Sequence, residues 1–221
     1  MANFNLFLLN QTDYQDALAL QECLFNAQLE RIKNGEDTHD YLVLLQHTSV
    51  YTLGKSGDES NLKVPIEQTD AKFFKTNRGG DITYHGPGQL TGYPIFNLAH
   101  FGIGVREYVE LVEECVIDCI SNYGLKGERL EGASGVWLDV KGNNPRKICA
   151  IGIKVSRGIT MHGFAFNINT DLSYFENIIP CGIDDKGVTS LEKEVGGKMD
   201  FKVVQQQLLE CFITRFNYVT K

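Results

Sequence analysis

Residues 78–90 read RGGDITYHGPGQL: four glycines (Gly79, Gly80, Gly86, Gly88), one proline, one histidine and a short strand-like fragment, 82–84. No regular helix runs through such a stretch. Glycine weakens a helix interior, and proline removes a backbone donor and clashes with the turn before it. The remaining option is a short buried strand between two tight loops, where a backbone without Cβ atoms can be brought close to something else.

The flanking segments show what such a piece can be built into. Residues 14–32 place Ala17, Leu20, Leu24 and Ala27 on one helical stripe, closed by Gly35. Residues 105–123 give the clearest helix, with Val105, Val109, Val112, Val116, Ile120 and Tyr123 in register before Gly124. Asp200 caps a last helix through Leu208, Cys211 and Phe216. Strands are expected at the N-terminus and at 41–46, 50–53, 93–98, 135–140, 147–156 and 161–168. Arg157-Gly158 turns the last two into a hairpin. Residues 63–75 read as a polar connection and 171–186 as irregular. Runs of strands interrupted by separate helices give an α+β class with a mixed sheet flanked by helices. With 221 residues, 43% of them apolar, and no repeat or clean linker, one domain over 1–221 is expected.

Several function classes drop out. No apolar run approaches the ~20 residues of a membrane span, and the N-terminus lacks a basic start and cleavage site, so the expected location is cytoplasmic. Six cysteines without a C-x-x-C pair make neither a disulfide framework nor a redox motif. Cys23, Cys115, Cys119 and Cys211 fall on helical patterns and read as small apolar fillers. A net charge of −7 argues against a general nucleic-acid binder. Residues 141–170, however, hold Lys141, Arg146, Lys147, Lys154 and Arg157 and no acid: an ordinary solvated strand pair, or a basic face for an acidic partner. Gly54-Lys55-Ser56 imitates the end of a phosphate-binding loop, but position 49 is Ser where that loop needs Gly. Gly132-Ala133-Ser134-Gly135 fails as a nucleophile elbow because residue 136 is Val. His85 and His162 have no third ligand at metal spacing, so no metal is expected. With no Asp or Asn placed to orient either imidazole, both read as pocket-shaping donors.

Cys181 lies between Pro180 and Gly182, off any periodic pattern, where core filling explains it poorly. Lys147 opens the apolar strand KICAIGIKV. Near a thiol its ammonium would favour the thiolate, and once desolvated it could accept a proton. Cys149 stands two residues further along that strand, hence on the same face as Lys147, and is a rival nucleophile.

Together RGGDITYHGPGQLTGYP (78–94), RKICAIGIKVSRGITMHGFAFNI (146–168) and PCGIDDKGVTSL (180–191) resemble the lipoyl(octanoyl) transferases, with weaker matches at VYTLGKS (50–56) and SGVW (134–137). The resemblance implies the fold of lipoate and biotin protein ligase catalytic domains: a central mixed sheet flanked by helices. It implies octanoyl transfer from an acyl carrier protein thioester to a lysine of lipoyl domains, in 2-oxoacid dehydrogenase complexes and the glycine cleavage H protein. A monomer without cofactor fits this reading, as does the absence of nucleic-acid and membrane partners. Cys181 falls on the family's acyl-thioester position and Lys147 on its activating lysine. Substrate-lining positions fall on Arg78, Gly79, Gly80, Asp81, Ile82, Thr83, Tyr84, His85, Ala150, Ile151, Gly152, Gly163, Phe164 and Ala165. Two departures are Ser49, where relatives often carry Pro, and Cys149, where Ala or Gly is more usual.

A thioester is already activated, so transfer to an amine needs no ATP. Two half-reactions through a Cys181 acyl-enzyme, with Lys147 as acid and then base, fit these residues. Oxyanion donors are expected among amides near Gly79-Gly80 or at 150–152. Seven methylene and methyl groups could contribute roughly 5 kcal/mol in an apolar slot, at ~0.8 kcal/mol each; Tyr84, Ile151, Phe164 and Phe166 are candidate walls. The rivals are an ATP-dependent ligase of the same fold and a non-catalytic carrier-binding domain.

Overall fold

The computed structural model describes residues 4–179 and 186–218. Its main sheet runs in the order β1 (Asn5–Thr12), β2 (Tyr41–His47), β6 (Gln89–Ile95), β10 (Ile159–Asn167), β9 (Arg146–Ser156), β8 (Ala133–Leu138) and β7 (Glu128–Leu130). The short β11 (Gly187–Val188) also pairs with β9. The β1–β2 and β9–β11 pairs are parallel and the others antiparallel, so the sheet is mixed. A second sheet orders β4 (Lys72–Lys75), β3 (Val50–Leu53) and β5 (Ile82–His85). The α+β class and the flanking helices are as expected.

Side-chain alternation decides which face of the main sheet buries what. Leu42, Leu44, Leu90, Phe164 and Phe166 point to the face covered by α3 (Val105–Ser121) and α5 (Phe201–Tyr218), where Val112, Val116, Ile120, Leu208 and Phe212 complete the largest core. The opposite face offers Val43, Leu45, Tyr93, Ile95 and Met161 to α1 (Tyr14–Asn34). Asp13 caps α1 by accepting from the Gln15 amide, and Gly35 ends it at φ 71°. Asp200 accepts from the Lys202 and Val203 amides at the start of α5, as the sequence indicates.

Some boundaries differ. The strand expected over 93–98 begins at Gln89 and stops at Ile95, and α2 (Leu98–Phe101) starts soon after. Gln89 and Thr91 are polar yet buried, so hydropathy hides the true start. The polar connection contains β4, and the irregular stretch contains a 3-10 helix at Leu172–Asn177. Cys115 and Cys119 are buried, as fillers should be, but Cys23 is exposed on α1.

Candidate active site

A cavity of about 490 Å³ opens on the α1 face of the main sheet. Three cross-strand rows line it. One is Gln89 opposite Asn167, the next Thr91–Ala165–Ala150, and the last pairs Gly163 with Gly152 beside Tyr93. Where α1 no longer covers the sheet, these small side chains leave the backbone itself as floor. β8 pairs with β9 only as far as Ala150, so the cavity continues around the free edge of β9, past Ile151 and Ile153, to Val109 of α3.

The roof is the glycine-rich segment. Amides of Gly54, Lys55 and Ser56 donate to the carbonyls of Asp81, Arg78 and Gly80 at 3.2, 2.9 and 3.3 Å. The Gly-Lys-Ser stretch thus backs the roof. Any Cβ on Gly54 would lie 2.2 Å from the Gly80 oxygen, which explains that glycine. On the other side, Gly79 N–H donates to Ile153 O at 2.8 Å and ties the roof to the free edge of β9. Arg78 is buried and donates to Thr52 Oγ1 and to the carbonyls of Gly79 and Asp81. It acts as a roof bracket.

Lys147 reaches the cavity because β9 carries a β-bulge. Val136 pairs with Cys149 but Trp137 pairs with Lys147, so β9 holds one extra residue, Ile148. The bulge breaks the alternation that would have put Lys147 and Cys149 on one face. Lys147 turns to the cavity, its ammonium 4.6 Å from the centre of the Trp137 ring, whereas Ile148 and Cys149 both enter the main core. Burial raises the Cys149 thiol well above its ordinary range. A thiol so held is a poor source of thiolate, which corrects the idea that it rivals Cys181 from the same face. Cys181 lies outside the described residues. The chain that follows it returns as β11, where Val188 pairs with Lys147 and the Thr189 amide donates to Lys147 O at 2.9 Å.

Neither cavity histidine is set up to donate to a ligand. Arg78 is donor-only, so Thr52 Oγ1 accepts from it and gives its hydroxyl proton to His85 Nε2 at 3.1 Å. The His85 proton therefore sits on Nδ1 and goes to Gln89 Oε1 at 2.8 Å. His162, with φ at 60°, donates from Nε2 to Asn77 Oδ1 at 2.7 Å. Both rings are neutral. Burial, with lesser contributions from charges including Arg78, drives His85 well below 6.5 and His162 down to about 3.

Burial likewise lowers His47, which accepts from Tyr93 OH, to about 4. Unfolding frees His47 and His162 to take protons from about pH 6.5 downward, which the folded rings refuse until about pH 4 and 3. Stability should therefore fall on acidification through that window, by about 2 kcal/mol per ring between pH 7.5 and 5. Urea unfolding at the two pH values measures this, and an unchanged unfolding free energy would contradict it.

Of the substrate positions named above, Arg78, Gly79, Gly80, Asp81, Ile82, Thr83, His85, Ala150, Ile151, Gly152, Gly163, Phe164 and Ala165 line the cavity. Tyr84 does not: it stacks on Tyr174 at 4.3 Å in a separate cluster with Tyr51, because it alternates away from Thr83 and His85 on β5. Phe166, expected as a slot wall, is in the main core and does not border the cavity. The basic stretch makes no single patch. Arg146 is held bidentately by Glu194 at 2.6 Å, Lys147 faces the cavity, and Lys154 lies over the Phe25 ring. Along β9 these groups are also spread over about 26 Å. Lining residues not anticipated include Tyr14, Gln89, Thr91, Tyr93 and Asn167. Gln89 and Asn167 stand inside the two quoted motifs as buried polar residues on otherwise apolar strands. That was the available signal.

Among the described residues no group of three or more His, Cys, Asp or Glu could hold a metal ion. The lipoyl protein ligase A/B catalytic domain model matches residues 13–213. In solved structures the same fold occurs in an archaeal bipartite lipoate protein ligase system from Thermoplasma acidophilum. That match has a TM-score of 0.70 and 15% identity, and covers 98% of this chain and 85% of that one. It occurs again in the biotin protein ligase of Aquifex aeolicus, with a TM-score of 0.55, 16% identity, and 98% and 72% coverage. At the sequence level, the octanoyltransferase of Parabacteroides distasonis is 50% identical over 220 residues, 98% of this chain and 100% of that protein. The chain belongs to the lipoyl protein ligase A/B catalytic-domain family and, within it, to the octanoyltransferases. It is accordingly an enzyme, an acyltransferase.

Proposed function

We propose that this enzyme moves an octanoyl group from the phosphopantetheine thioester of an acyl carrier protein to a lysine of a lipoyl domain, through an acyl-thioester on Cys181. The acceptors are the lipoyl domains of 2-oxoacid dehydrogenase complexes and the glycine cleavage H protein, and the chain works as one cytoplasmic catalytic domain. The name shared by relatives near 50% identity supports octanoate as cargo. The carrying observation is the β9 bulge, which turns Lys147 into the cavity beside the strand that follows the Cys181 segment. Ile151, Phe164 and Phe175 supply apolar lining for the acyl chain.

In the first half-reaction, Cys181 thiolate attacks the octanoyl carbonyl carbon. The tetrahedral oxyanion collapses, breaking the carbon–sulfur bond to the carrier, and the departing thiolate takes a proton from the Lys147 ammonium. In the second, neutral Lys147 removes a proton from the acceptor ammonium. The freed amine attacks the acyl-enzyme, forming the amide and releasing Cys181 as thiolate, while the extra proton on the attacking nitrogen passes to solvent water. Lys147 ends as ammonium, ready for the next cycle. Incubation with octanoyl-carrier protein and no nucleotide should add the mass of one octanoyl group, labile to hydroxylamine. Cys181→Ser should form no such thioester. A thioester that persists in Cys181→Ser, or acylation that requires free octanoate and ATP, would overturn the reading.

A further inference from the structure

We propose that Asn167 is a catalytic residue: its side-chain amide donates a hydrogen bond to the thioester carbonyl oxygen as that oxygen becomes an oxyanion. The inference rests on the acyl-enzyme reading above and identifies a side-chain donor for it. Of the roof amides expected as donors, that of Gly79 is already given to Ile153 O.

A directed chain of hydrogen bonds fixes the Asn167 amide. Arg78, Thr52 and His85 pass donors in one direction, ending with the His85 Nδ1 proton on Gln89 Oε1. Gln89 Nε2 is thereby oriented, and both its hydrogens are used, on Tyr84 O at 3.0 Å and Asn167 Oδ1 at 2.9 Å. Asn167 must then present Nδ2 on its other side. One hydrogen goes to Thr189 O at 3.0 Å, and the second is not consumed by any of these contacts. Thr189 is the residue whose own amide holds Lys147 O, so one residue sets both Asn167 Nδ2 and the Lys147 backbone. Asn167 is 4% exposed and borders the cavity in the row next to the small-residue floor. A buried, pre-oriented neutral donor stabilises developing negative charge without reorganising during the reaction. It also leaves the proton traffic to Lys147.

The competing role for Asn167 is a bracket that merely holds Thr189, and ground-state and tetrahedral ligands separate the two. Heptyl trifluoromethyl ketone adds the cysteine thiol to give a hemithioketal oxyanion, whereas octanamide stays trigonal. In Asn167→Asp and Asn167→Ala, single-turnover acylation by octanoyl-carrier protein should fall about 10²–10³-fold and ketone affinity should fall with it, while octanamide binding stays within about threefold. Acylation within about threefold of the parent, or octanamide affinity falling as far as that of the ketone, overturns the proposal. Should either variant unfold, the unaltered enzyme labelled with 15N at asparagine gives the answer. One Asn167 side-chain proton should move downfield on ketone binding, and an unmoved signal rejects the donor. A thioester surviving in Cys181→Ser would instead sink the acyl-enzyme reading itself. Acylation of Cys181 at the parent rate by the Asn167 variants would sink this inference alone.

Discussion

Lys147→Ala should transfer octanoate about 10³–10⁴-fold more slowly than the parent, near the upper end for a positioned acid or base, because one group serves both half-reactions. The loss should appear in kcat, with carrier KM changed little, since Lys147 is one residue of a large lining. Lys147→Arg is the sharper test. Arginine keeps the positive charge and could still lie over Trp137, but it stays protonated at any working pH and cannot take a proton from the acceptor amine. The arginine variant should therefore also fail in the second half-reaction, measured as transfer from pre-formed acyl-enzyme to a lipoyl domain. Transfer by Lys147→Arg at the parent rate would reduce Lys147 to an electrostatic anchor.

The neighbours of Lys147 fit a residue that must be placed and not merely charged. Gly135, at φ 121°, has no Cβ; one would lie 2.4 Å from Cys149 O and 3.5 Å from Lys147 Cδ. The Gly135 amide donates to Glu113 Oε1 at 2.8 Å, and Arg129 holds the other oxygen of that buried carboxylate at 2.9 Å. The strand pairing with β9 is thus fixed from behind, by α3, at the point where the bulge begins.

Elements with a strong period were legible: the part of the α3 stripe formed by Val112, Val116 and Ile120, the Gly35 stop of α1, the Asp200 cap of α5, and the hairpin of β9 and β10 all follow from the sequence. The bulge was not. A period of two extrapolated along KICAIGIKV keeps Lys147 and Cys149 together, and only the pairing with Val136 and Trp137 reveals the extra residue. Polar burial defeated the reading in another way. Gln89, Thr91 and Asn167 look like strand ends or surface positions, yet each is buried: Gln89 and Asn167 bond each other across 78 residues, and Thr91 sits opposite Ala165 on the neighbouring strand. The basic stretch failed because sequence neighbours on an extended strand are far apart in space, and one of them is neutralised by Glu194 from α4 (Leu191–Val195). For the cavity, the glycine-rich motif carried most of the information; Tyr84 was misplaced by alternation within the four-residue β5.

The floor glycines lead to the second large effect. A Cβ on Gly163 would lie 2.2 Å from the Gly92 carbonyl oxygen and 2.7 Å from Pro94 Cδ, and backbone at the centre of a sheet cannot step aside as a flexible side chain can. The neighbouring glycine is equally constrained, since a Cβ on Gly92 would meet the Phe164 ring at 2.1 Å. Gly163→Ala should therefore destabilise by about 3 kcal/mol, the upper part of the overpacking range. For a domain of this size that lowers the melting temperature by about 6–12 °C. Gly197→Ala, with nothing within 4 Å of the new methyl, should stay within about 0.5 kcal/mol of the parent. If Gly163→Ala melts with the parent, the close approach of β6 and β10 is not what demands glycine. Loss of octanoyl transfer in such a stable variant would then assign the demand to space above the floor, and separate the sheet's requirement from that of the acyl chain.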